Sequence, residues 1–123
     1  MDTYPDIQFI NTGKGIPGIS EQGYQSFEEQ CKKSRHADRI HLLGWVSRTE
    51  LDLLLNQATL GINIDLPIYE TVFGARNRMN EYLAFGLPVC TTPGSQIANT
   101  LIEHAGALQV HSQNAKHLAS QLI

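Results

Sequence analysis

The sequence predicts an α/β fold: a parallel sheet with helices on both faces, three layers in all. Short apolar runs alternate with helix-length amphipathic runs along all 123 residues, and strands that alternate with helices pair in parallel. Capping and turn residues stand at the seams between runs, as in Ser47-Arg48-Thr49-Glu50 and Gly86-Leu87-Pro88. The length suits one modest domain with one core.

The elements follow in order. Apolar runs at Ile7–Asn11, Ile40–Trp45, Thr59–Ile64, Pro88–Thr91 and Ala107–Val110 predict five strands. Amphipathic runs at Glu21–Ser34, Arg48–Asn56, Ala75–Phe85, Gln96–His104 and Gln113–Leu122 predict five helices. Before the second helix, Ser47 can accept from the Glu50 amide while Glu50 reaches back, with Val46 and Leu51 as a hydrophobic staple. Gly86 offers a left-handed residue to end the third helix, and Pro88 prevents its continuation. Ser95 and Ser112 are placed to cap the fourth and fifth, and His104 complements the dipole at a helix end.

Composition excludes several classes. The formal net charge is -3 and the isoelectric point is near 5.9, so there is no basic field for nucleic acid or an anionic membrane. No apolar run approaches the ~20 residues of a membrane span. The start, Met1-Asp2-Thr3-Tyr4-Pro5-Asp6, lacks the charged and apolar regions of a signal peptide. Cys31 and Cys90 have no metal or redox spacing and read as reduced thiols of a cytoplasmic protein, Cys90 within the core. The five histidines have no ligand-like spacing, and no metal site is expected. Gly13-Lys14-Gly15 lacks the spacing and the Ser or Thr of a phosphate loop. Asp65 at a strand's carboxyl end suggests a receiver-type phosphorylation site, but the acidic pair and the lysine of such sites are missing.

In such sheets ligands bind beyond the carboxyl ends of the strands. The richest loop there runs into the third helix. Glu70, Arg76, Arg78 and Glu81 put two arginines and two carboxylates around one helix start, between two apolar strands. That charge suits a charged, hydroxylated ligand such as a nucleotide sugar. Amides at Gly74, Ala75 and Arg76 would open the helix toward a diphosphate. Arg78 and Glu81 share a helix face at three residues' spacing, whereas Arg76 and Arg78 cannot point the same way.

Three segments carry a family resemblance: His41-Leu42-Leu43-Gly44-Trp45-Val46 with Thr49-Glu50-Leu51, Asn56-Gln57-Ala58-Thr59-Leu60-Gly61-Ile62, and Asn80-Glu81-Tyr82-Leu83-Ala84-Phe85-Gly86-Leu87-Pro88-Val89. From Ile40 onward the chain resembles the C-terminal, donor-binding half of a GT-B-fold glycosyltransferase, of the large retaining group 1 family. The family pattern has two glutamates with seven residues between them. Here Glu81 takes the second place and Phe73 the first, while the nearest carboxylate is Glu70. Glu70-Thr71 with Arg76-Asn77-Arg78 resembles a bacterial branch of the family.

The resemblance implies a cytoplasmic enzyme that moves a hexose from a nucleotide sugar to a glycan or lipid-linked acceptor, in cell-surface polysaccharide synthesis. Retention without a metal or other cofactor is implied. Glu81 would bind the ribose hydroxyls. Arg78, Arg76 and the amides near Gly74 and Ala75 would meet the diphosphate, with Phe73, Thr71 and Glu70 beside them. Gly44, Trp45 and Val46 would lie beside the base, and Gly13 would approach the donor cleft. The implied partners are the donor and the acceptor domain of the same protein, with peripheral membrane association of the full-length enzyme.

The resemblance also implies that residues 1–123 are one donor-binding domain, a fragment lacking the family's first strand and its acceptor half. A complete domain orders its strands 3-2-1-4-5-6. The five present here would close as 2-1-3-4-5, with Ile7–Asn11 laddered to Thr59–Ile64. Left open, the exposed edges would favour dimerisation. Two other readings stand beside this one: a GT-B-type nucleotide-sugar epimerase, and a non-catalytic flavodoxin-like interaction domain.

Overall fold

The structure is a computed structural model that describes residues 4–74, 76–111 and 113–121. Five strands and six α-helices alternate among them, an α/β, Rossmann-like arrangement. The chain divides into two compact units, Met1–Leu51 and Asp52–Ile123.

In the first unit, β1 (Phe9–Asn11) and β2 (Ile40–Leu42) pair in parallel, with Phe9 opposite Ile40 and Asn11 opposite Leu42. The crossover carries α1 (Glu21–Lys33) and a 3-10 turn (Ala37–Arg39). No residue of α1 is buried. Local terms support it: Glu21 opens it, Lys32 and Lys33 close it, and Glu28–Lys32 and Glu29–Lys33 pair at 3.0 and 3.7 Å. Arg39 donates to the carbonyls of Tyr4 and Pro5 at 3.1 and 3.0 Å, which ties down the start of the described chain. Helix α2 (Arg48–Gln57) follows. Its capping box forms as expected: the Ser47 amide donates to Glu50 Oε2 at 2.7 Å, and the Glu50 amide to Ser47 Oγ at 3.2 Å.

In the second unit, β3 (Gly61–Asn63), β4 (Val89–Thr91) and β5 (Ala107–Gln109) form a parallel sheet in that order. The central strand is buried throughout. Between β3 and β4 run α3 (Tyr69–Phe73) and α4 (Asn77–Ala84); α5 (Gln96–Glu103) precedes β5 and α6 (Ala115–Gln121) follows it. Met79, Val89 and Ala98 make the core, with Tyr82, Ile97, Leu101 and Ala107 packed against them. Gly61 is required in β3, because a methyl group there would overlap the Tyr82 ring. Gly86, at φ 67°, ends α4 in a Schellman motif: its amide donates to Leu83 and that of Leu87 to Tyr82, at 3.0 and 2.9 Å. Ser95 caps α5 through the Ala98 amide, and His104 stands at the end of that helix with Nδ1 2.9 Å from the Thr100 carbonyl. The expected Ser112 cap lies outside the described residues.

Two expectations need correction. The strands fall into two sheets, and among the described residues no ladder joins β1 to β3. With three residues per strand, closure would add only a few bonds, each worth about 0.5–1.5 kcal/mol net. The remaining pairings, β1 with β2 and β3 with β4 with β5, are those expected. The helix expected over Ala75–Phe85 opens at Asn77, behind a separate short helix, α3. Gly74 is the break. Its extended backbone (φ -76°, ψ 139°) ends α3, and its amide donates to the Glu70 carbonyl at 2.7 Å.

Candidate functional site

Parallel strands point their carboxyl ends to one rim of a sheet, and in the second unit that rim holds a cavity of about 470 Å3. The volume lies in the range of small-molecule sites, ~300–1,000 Å3. Asn63, Ile64, Asp65 and Leu66 line it from the end of β3. Ile68, Glu70 and Thr71 contribute from α3 and the loop before it, and Arg76, Asn77 and Arg78 from the start of α4.

A hydrogen-bonded chain builds the cavity floor. Asn63 is fully buried and donates through Nδ2 to Asp65 Oδ2 at 2.8 Å and to Thr91 Oγ1 at 3.2 Å. The Asp65 amide donates to Thr92 Oγ1 at 2.9 Å. Arg76 Nε donates to Asp65 Oδ2 at 2.9 Å, in an ion pair whose side chains are only 14% and 19% exposed. Arg76 also donates to the Glu70 carbonyl at 3.3 Å. The central strand, the end of β3 and the start of α4 are thus tied together through side chains. Among the described residues the Asn63 Oδ1 is buried without a partner, which costs about 1–3 kcal/mol.

Helix α4 divides its residues by face. Met79 is fully buried, while Asn77, Arg78 and Asn80 are exposed. Arg78 therefore falls away from the core face. Glu81 is half-buried, on the face that carries Asn77 and Arg78. It stands one turn beyond the residues that line the cavity. Burial pushes the Tyr82 phenol above its ordinary range, and the nearby Arg78 charge opposes that rise.

The sequence-predicted residues separate into two groups. Glu70, Thr71, Arg76 and Arg78 meet at the cavity. Thr71 is buried there, its hydroxyl given to the Leu66 carbonyl. Phe73 is 71% exposed and packs against Tyr69 with ring centroids 4.5 Å apart. The Gly74 amide, expected at a helix opening, is spent on Glu70. Ala75 lies outside the described residues. The first-turn amides of α4 begin instead at Asn77; among the described residues those of Asn77 and Arg78 have no partner, while that of Met79 donates to the Arg76 carbonyl at 2.9 Å.

The other group, in the first unit, forms a corner past the ends of β1 and β2. Gly13 and Gly44 make an antiparallel bridge, the Gly13 amide donating to the Gly44 carbonyl at 2.6 Å. Both carry positive φ, 89° and 69°. The Trp45 ring lies over Gly13 and is 71% exposed, with Val46 half-buried beside it.

Sequence reasoning missed Asn63, Thr91 and Thr92 in the floor, and read Asp65 only as a phosphorylation candidate. The signal for Asn63 was an amide at an inward-facing position of an apolar strand. For Asp65, the Asn63 and Arg76 contacts give its Oδ2 two structural donors.

Comparison with known proteins adds three findings. The sequence model of a family described as "Glycosyl transferases group 1" matches residues 2–123. No curated protein sequence matches the chain. Among solved structures, sucrose-phosphate synthase from Thermosynechococcus elongatus is similar, with a TM-score of 0.75 at 21% identity. The alignment covers 98% of this chain and 29% of that one. At that identity the likeness shows the fold.

Proposed function

The chain belongs to the group 1 glycosyl transferases, and from that premise we propose that it binds the nucleotide-sugar donor at the cavity beside the start of α4. The observation that carries this reading is the coincidence of two arginines, the opening of α4 and the carboxyl end of β3 around one cavity. Helix amides and guanidinium groups suit the oxygens of a diphosphate. A carboxylate suits a vicinal diol, each charged hydrogen bond being worth about 1.5–3 kcal/mol.

In this reading Arg78 and Arg76, with the amides of Asn77 and Arg78, receive the diphosphate and stabilise its negative charge as it departs. Glu81, on the same face of α4, accepts from the ribose hydroxyls. Glu70, Thr71 and Phe73 flank the sugar side. The transferred group is a hexose, and the acceptor is a glycan or lipid-linked saccharide of a cell-surface polysaccharide. The transfer retains configuration, uses no metal and takes place in the cytoplasm. Among the described residues no helix is long and apolar enough to cross a membrane. The whole enzyme associates peripherally with a membrane. The acceptor would be held by another part of that enzyme, since this chain spans under a third of the similar structure's length.

A thermal-shift and calorimetry panel of UDP, GDP and ADP tests the reading. One of the three should raise the melting temperature and bind. Arg78→Ala and Glu81→Ala should each weaken that binding roughly 10–100-fold, for one or two lost charged hydrogen bonds. A folded chain indifferent to all three nucleotides overturns the assignment.

A further inference from the structure

We propose that Asp65 is the positioning residue of the donor site, and that it makes Arg76 the pre-set arginine for the diphosphate. The inference rests on the donor-binding reading above and adds to it a residue and a division of labour between the two arginines. Four observations carry it.

Asp65 is itself immobilised. Its amide is bound to Thr92 Oγ1 at 2.9 Å, and its Oδ2 receives the Nδ2 of fully buried Asn63 at 2.8 Å. The carboxylate is therefore anchored to two strand ends before it meets any arginine. It then holds Arg76 by Nε, at 2.9 Å. Gripping a guanidinium at Nε fixes the plane of the group, because Nε is its only hinge to the aliphatic stem. A second bond, from a terminal nitrogen to the Glu70 carbonyl at 3.3 Å, fixes the rotation that remains. Of the five N–H groups of an arginine, this leaves donors on both terminal nitrogens, and Arg76 lines the cavity.

Gly74 completes the seat. A Cβ at that position would meet the Glu70 carbonyl oxygen first and an Arg76 terminal nitrogen next, so glycine leaves room both for the α3 turn and for the guanidinium as it lies. Arg78 differs in each respect: it is exposed and must be ordered when a ligand binds. An arginine held in place before binding loses less freedom on binding, which is the basis of preorganised affinity. A carboxylate that only stabilised the fold would have no reason to act through Arg76 on ligand affinity.

The test is a double-mutant cycle on nucleoside diphosphate binding, followed by calorimetry, with the 15N–1H signal of Arg76 Nε as a second readout. UDP, GDP and ADP are the probes. Asp65→Ala and Arg76→Ala should each weaken binding about 10-fold, and the double variant should be no weaker than Arg76→Ala alone. Asp65→Asn retains an oxygen for Nε–H and should stay within about 3-fold of the unmodified chain. The Arg76 Nε signal should shift on nucleotide addition in the unmodified chain and in Asp65→Asn. If Asp65→Ala does not fold, the Nε signal and affinity of Asp65→Asn and Arg76→Ala decide. Binding by the unmodified chain with additive losses in the cycle, or with an Nε signal that ignores nucleotide, overturns this proposal alone. A folded, unmodified chain that binds none of the three nucleotides overturns the donor-site reading and this proposal with it.

Discussion

Gly61 and Tyr82 show how one residue's missing side chain sets another's position. The Tyr82 ring occupies the space beside Gly61 and its hydroxyl donates to the Ile62 carbonyl at 3.2 Å. Gly61→Ala should cost about 1–3 kcal/mol through overpacking, read as a lower urea midpoint with an unchanged slope. Tyr82 and Cys90 also predict an alkaline limit. Burial raises both above their ordinary values of 10.0 and 9.0. The folded state thus holds its protons to higher pH than the unfolded state. Stability is full below pH 9 and falls as pH rises through that window and beyond 10. Urea midpoints at pH 8 and 10.5 check this; equal values would contradict it. At this scale the caps at Ser47 and Ser95 and the turn at Gly86 were legible, because each rests on a residue type that satisfies its own neighbours. The Asn63–Asp65–Arg76 chain was not, since its members stand 2 and 11 residues apart and meet only once β3 and α4 are placed.

Among the elements, α3 and α4 differ most from what their sequence suggests. Helical periodicity reads continuously into Phe85, and nothing local marks Asn77 rather than Ala75 as the start. The split comes from Gly74, whose extended backbone the Arg76 side chain then covers. The two helices also differ in what holds them. Helix α4 is anchored by Met79, fully buried in the core, whereas Tyr69 and Phe73 of α3 are 79% and 71% exposed. Met79→Ala should therefore cost about 2–5 kcal/mol. Phe73→Ser should change stability by no more than about 0.5 kcal/mol. Chemical denaturation of the two variants measures the contrast, and comparable losses would mean that α3 shares in the core.

For the molecule as a whole, the parallel class, the strand sequence and three of the four neighbouring pairs were readable from apolar runs and their spacing. Closure across β1 and β3 was not readable, because edge pairing depends on geometry that short runs do not encode. The two sheets differ in burial. Every residue of β4 is buried, while Phe9 and Asn11 of β1 are half-buried and Ile10 is exposed. Hydrogen exchange should follow that order, with the amides of Val89, Cys90 and Thr91 exchanging last and those of Phe9–Asn11 earlier. Mass spectrometry of exchanged peptides distinguishes the two; equal protection would show that both sheets open in one event.

Trp45 is the only tryptophan in the chain, and its ring lies open to water over Gly13. The chain consequently carries a single indole beside its four tyrosines, sited at one glycine corner rather than averaged over many. Emission excited at the red edge of protein absorbance reports that spot alone. A nucleobase that stacked on the indole would quench it.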